Sequence, residues 1–161
     1  MSTTTPLGGT IPDNESAANK VADYKDYFIN VLEPAIQALQ PSLTAWTSFT
    51  PTVISTAGTL TTVAALGKYK RVGKTVFVRL KINITTNGSG SGQVSATLPA
   101  TAANDAGWYQ VISGVETGAT GRQLVGYIGA NMSTVIITFY DATYPGANGR
   151  ELSMEGVYEA T

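Results

Sequence analysis

Between residues 75 and 86 the chain reads TVFVRLKINITT, and every second side chain is aliphatic. Val76, Val78, Leu80, Ile82 and Ile84 fall on one side and Phe77, Arg79, Lys81, Asn83 and Thr85 on the other. This period of two marks a strand with one dry face and one wet face. Weaker alternation at 46–53, 60–65, 68–72, 93–98, 107–115, 122–128, 134–141 and 150–158 predicts further short strands, separated by turns rich in Gly, Asn and Pro. Gly73-Lys74 predicts a tight turn into the clearest strand. Asn87-Gly88 predicts a hairpin loop out of it, with 93–98 as the returning partner. No helical pattern interrupts the series, so residues 44–161 predict a mainly β domain: an antiparallel β-sandwich of jelly-roll-like form.

Residues 1–43 follow a different pattern. Residues 1–12 mix Thr, Pro and Gly without periodicity and predict an extended N-terminal arm. Asp13 or Asn14 can cap a helix, and Val21, Tyr24, Phe28, Val31, Leu32, Ile36 and Leu39 then recur at helical spacing. The result is a short amphipathic α-helix. Pro34 lacks an amide and disfavours helix at Glu33, so a kink or restart is expected there, and Pro41 closes the segment. An apolar stripe with two aromatics must be covered, either by the following domain or by copies of itself in an oligomeric stalk. Residues 1–43 are therefore expected to serve docking and oligomerisation.

Composition narrows the chemistry. The chain has no Cys and no His, which removes disulfides, thiolate and histidine metal sites, and the usual catalytic triads. Ten Lys and Arg against eleven Asp and Glu leave a net charge of −1, so no global field draws the protein to nucleic acid or membrane. The N-terminal residues lack a basic and then apolar leader, and no stretch approaches the roughly 20 apolar residues of a membrane span. Synthesis in the cytoplasm without membrane insertion is expected.

Asp141 and Glu151 could approach across a hairpin as a glycosidase pair, but a turn-initiating Asp and an exposed strand Glu explain them more simply. Asp141 with Asn148 could bind calcium, yet no EF-hand pattern occurs, and no metal or cofactor is expected. Lys68, Lys70, Arg71, Lys74, Arg79 and Lys81, with Tyr69 and Phe77 between them, could contact a single-stranded nucleic acid. Solvation of a wet strand face accounts for the same charges, so no nucleic-acid partner is expected. Trp108, Tyr109 and Tyr144 are candidate ligand contacts, because aromatics beside loops can stack on sugars, although they also suit a core or subunit interface.

Four stretches carry a resemblance: WTSFTPTV at 46–53, GKYKRVGKTVFV at 67–78, ITTNG at 84–88 and YDATYPG at 140–146. Together, across 45–158, they resemble a C-terminal β domain of bacteriophage fibre and virion proteins. The resemblance brings no catalytic residue and implies a structural, non-enzymatic protein of the virion. It implies a small fibre, often a homotrimer, attached by its N-terminal residues to the tail or tail tip, whose β domain contacts the host surface. A capsid decoration or head fibre protein remains the alternative, as does a carbohydrate-binding module that holds a host-surface glycan. The partners implied are further copies of the chain and other virion proteins of the tail or capsid.

Overall fold

The computed structural model describes the backbone of residues 3–4 and 10–11, and residues 24–37 and 45–161 in full. The chain divides into two compact units, Met1–Ala45 and Trp46–Thr161. In the first, β1 (Thr3–Thr4) pairs antiparallel with β2 (Thr10–Ile11), and helix α1 runs over 24–37. Val21, Leu39, the capping residues Asp13 and Asn14 and the closing Pro41 lie outside the described residues.

Pro34 does not break α1. Phe28–Leu32 forms a π-turn in which the Glu33 amide donates to the Phe28 carbonyl, and Glu33 keeps helical dihedrals of φ −62 and ψ −47. Pro34 has no amide to offer Asn30, and its ring crowds that carbonyl. A widened turn just ahead of it relieves both problems without stopping the helix. The helix does not restart at Glu33; it continues through it, and the irregularity expected there takes the form of a π-turn.

The second unit is mainly β. Its strands are β3 (Thr47–Phe49), β4 (Val53–Ala57), β5 (Thr62–Val72), β6 (Thr75–Thr86), β7 (Ser91–Thr97), β8 (Gln110–Glu116), β9 (Gln123–Ile128), β10 (Thr134–Phe139) and β11 (Arg150–Glu159). They form one antiparallel sheet of nine strands in the order β3-β5-β6-β11-β8-β9-β10-β7-β4. The two edge strands, β3 and β4, are joined by Thr50, Pro51 and Thr52 alone. A flat sheet of this order would separate its edges by roughly 38 Å, whereas the linker reaches at most about 14 Å. The sheet must therefore curl until its edges approach. Its two halves face each other across one core, which is the antiparallel sandwich that the alternation predicts.

Three local expectations change. Residues 46–53 are two strands, because buried Pro51 cannot donate to a ladder; Thr52 instead bonds Thr97 through its amide (2.8 Å) and its carbonyl (3.0 Å). The strands expected at 60–65 and 68–72 are one strand, β5, which starts at Thr62 and runs straight through Gly67. A Cβ at Gly67 would lie 2.3 Å from the Phe49 ring, so the glycine makes room for that ring and does not end the strand. Finally, 93–98 is not the partner of β6. Both edges of β6 are occupied, by β5 through the tight Gly73-Lys74 turn and by β11 over ten residue pairs. The Asn87-Gly88 stretch is a corner that carries the chain to β7, which pairs with β10 and β4.

The core collects the inward phase of the strands: Val76, Val78, Leu80, Ile82 and Ile84 of β6 with Val94, Ile112, Leu124, Ile137, Leu152 and Met154. Tight curling is possible because Gly156 sits under Ile112, where a Cβ would meet the Ile112 side chain at 2.4 Å. The register also defines two ends. Gln110↔Ile128, Glu159↔Thr75 and Thr134↔Thr97 lie at the end where Trp46 leads into β3, here the entry end. Glu116↔Leu152, Arg150↔Ile84 and Phe139↔Leu124 lie at the far end.

Candidate functional site

Two of the residues expected to contact a ligand come together at the entry end. Trp108 and Tyr109 precede β8 in a loop, where Gly107 (φ 89) and the Trp108 amide bonded to the Asp105 carbonyl (3.1 Å) hold a turn. The strand expected from residue 107 therefore starts only at Gln110. Trp108 is 77% exposed and Tyr109 70% exposed. Tyr109 meets Tyr127 edge-to-face at 5.9 Å, and the Tyr127 hydroxyl accepts from the Gln93 amide group. Exposed Met132 lies close by, since Gly129 adjoins both Met132 and Tyr109.

Tyr144 is not part of this group. It lies at the far end with its ring packed on the core and its hydroxyl donating to Asn87 Oδ1 at 2.7 Å. Burial pushes the Tyr144 phenol above its ordinary value. Asn148 Oδ1 in turn accepts the Asn87 amide at 2.8 Å, so Tyr144, Asn87 and Asn148 brace the corner between β6 and β7.

The far end also holds a charge network centred on a residue that sequence reasoning missed. Glu116 has no exposed surface. Its carboxylate accepts the amides of Gly118 (2.7 Å), Ala119 (2.9 Å) and Thr120 (2.6 Å), the Thr120 hydroxyl (2.6 Å) and the Arg150 guanidinium (2.6 Å). Burial pushes this carboxyl up, but the bonds from Thr120, Arg150 and Ala119 prevail and hold it at about 2. The available signal was a lone Glu on the inward phase of a strand, followed by the donor-rich loop TGAT.

Asp141 and Glu151 do not form a glycosidase pair. Asp141 binds Arg122 and the Thr143 hydroxyl, while Glu151 binds Lys81 at 3.1 Å and the Thr117 hydroxyl at 2.9 Å. The Thr143 hydroxyl, with Arg122 behind it, lowers the Asp141 carboxyl, and Lys81 lowers that of Glu151. A general acid needs the opposite shift. Among the described residues no group of three or more acidic, His or Cys side chains could hold a metal ion.

Half of the basic cluster is engaged within the molecule, Lys81 by Glu151 as above. Arg79 pairs with Glu155 (3.2 Å) and lies 4.6 Å over the Trp46 ring; Arg71 donates to the Gly73 and Thr161 oxygens at 2.8 and 2.7 Å. This outer face of β5, β6, β11 and β8 also contains a groove of about 690 Å³ lined by Leu66, Arg79, Lys81, Val115, Ser153 and Glu155. In the first unit, Tyr24, Phe28 and Ile36 of the expected helix stripe are exposed, Phe28 by 60%, while Val31 and Leu32 are half-buried.

No protein-family model matches the chain, and no curated protein matches it. Among solved structures it is similar to the crystal structure of the receptor binding protein (gp15) of Listeria phage PSA, at a TM-score of 0.48 and 17% identity, over 92% of this chain and 82% of that one.

Proposed function

We propose that the chain is a small, non-enzymatic structural protein of a bacteriophage virion, attached through residues 1–43 and presenting the β unit. The observation that carries this reading is where the residues of the resemblance lie. Phe49 of WTSFTPTV covers Gly67 of GKYKRVGK and meets its Tyr69 edge-to-face at 5.8 Å, while Pro51 turns the chain from one sheet edge to the other. The two stretches thus build one structural device, the closure of the curled sheet, and not a reaction centre. The exposed apolar side chains of α1 supply the attachment surface.

In its finer form the reading is a homotrimeric fibre at the tail or tail tip, with a decoration or head fibre on the capsid as the alternative. Gradient-purified particles should carry the protein, and an antibody to residues 46–161 should label one end of the particle. Label on the tail supports the fibre, label on the head the decoration protein, and particles without the protein would sink both. A second reading, glycan recognition, is favoured by the adjacent exposure of Trp108 and Tyr109. Binding on a host-polysaccharide array that disappears in Trp108→Ala, with circular dichroism unchanged, supports it; unaltered binding removes Trp108 from any such site.

A further inference from the structure

We infer that the outer face of β5, β6, β11 and β8 binds a second copy of this chain, with the copies parallel to each other about an axis that runs along the strands. The argument starts from one row of side chains at the entry end. Phe77 lies opposite Val157, and Val111 opposite Tyr127. The β8–β11 register, carried two residues beyond Ser113↔Glu155, brings Val111 beside Val157. Phe77, Val157 and Val111 are all exposed, and the row runs on into Tyr109 and Trp108. Large apolar side chains set side by side on a wet face need cover.

The charges around this row say what kind of cover fits. Cations stand on β5 and β6 (Lys68, Lys70, Arg79, Lys81), and carboxylates stand one strand over on β11 (Glu151, Glu155, Glu159). Two such faces can meet in two simple ways. An axis across the strands lays each column on its own counterpart, cation on cation. An axis along the strands, between β6 and β11, lays β6 of one copy over β11 of the next, cation on carboxylate, sets β5 over β8, and keeps the apolar rows at the same height. A copy of the chain carries both halves of this complement on one surface. Leu66, 69% exposed on β5, then has the neighbour's face as its cover.

A parallel arrangement has a consequence for attachment: every copy enters its β unit at the same end of the assembly. The inference deepens the attachment reading and rests on it only for the meaning of that common end. The test uses the full chain in sedimentation equilibrium. Wild type should have an integer multiple of the chain mass, and Val157→Glu and Leu66→Glu should each fall to the monomer mass with unaltered circular dichroism. Because the chain has no cysteine, single replacements report the orientation. Lys70→Cys chains should cross-link to Val111→Cys chains on mild oxidation, and not to Leu66→Cys chains. A monomeric wild type, two charged variants that keep the assembly mass, or cross-linking of Lys70→Cys with Leu66→Cys instead would each overturn the inference. A monomer that still travels with purified particles would do so while leaving the attachment reading intact; an assembly absent from particles would do the reverse.

Discussion

Glu116 is a carboxylate without exposed surface that stays ionised, because three amides, a hydroxyl and Arg150 point at it. Its folded value of about 2 lies below the ordinary 4.5, so its contribution is complete above pH 4.5 and is withdrawn as the pH falls towards 2. That contribution is about 3 kcal/mol. Glu116→Gln should lower the unfolding free energy by about 3 kcal/mol at pH 7, since Arg150 then loses its partner, and the gap to wild type should close as the pH approaches 2.5. Urea titrations at pH 7, 4 and 2.5 check this; a gap independent of pH would contradict it. Tyr158 behaves in the opposite sense. Burial raises its phenol to about 12, against the pull of the Ala100 amide and Arg71, so its contribution is present below pH 10 and is lost as the pH rises towards 12. Its hydroxyl donates to the Ala100 carbonyl at 2.9 Å and accepts the Ala100 amide at 3.2 Å. Tyr158→Phe should cost about 1 kcal/mol at neutral pH and flatten the alkaline loss of stability, which thermal melts between pH 8 and 11.5 would show.

At the scale of elements, the closure of the sheet depends on an aromatic ring resting on a glycine. Gly67→Val would place carbon 2.3 Å from the Phe49 ring, and among the described residues the short edge strand β3 pairs with β5 alone. The substitution should cost about 2 kcal/mol and raise amide exchange at Thr47–Phe49 well above that of β6. Unchanged protection at those amides would show that the ring is not what seats β3. The same detail explains what the sequence could and could not convey. β6 was legible to the residue because its alternation is unbroken and both of its neighbours bury the same phase. β5 reads as two strands because a glycine in a strand looks like punctuation until the ring above it is known. The partner of β6 could not be inferred from Asn87-Gly88, since a turn signal gives the place of a reversal and not which edge of a strand is still open; β11, some seventy residues later in the sequence, takes that edge. In α1 the effect of Pro34 was placed correctly in sequence, but it appears as a π-turn, a choice made by the backbone that no side-chain pattern announces.

At the scale of the whole molecule, the positions of charges matter more than their number. Six cations lie between residues 68 and 81, yet Arg79 and Lys81 face carboxylates of β11, and Arg71 is turned onto backbone oxygens. The ligand candidates were legible only in part for a similar reason: Trp108 and Tyr109 are sequence neighbours and stay together, whereas Tyr144 lies at the far end of the strands, a separation fixed by register. A polyanion binds through the cations left over, and its affinity falls with salt according to how many phosphates they neutralise. With three of the six engaged inside the molecule and a net charge of −1, a single-stranded oligonucleotide should show no saturable binding even at low salt, as read by fluorescence anisotropy. Glu151→Gln together with Glu155→Gln should change that. Removing the two carboxylates releases Lys81 and Arg79 without touching the core, so weak binding should appear with a logarithmic salt slope of about −1 to −2. Strong, steeply salt-dependent binding by the unaltered chain would mean that the ion pairs open at little cost, and that the outer face of β5 and β6 is a nucleic-acid surface after all.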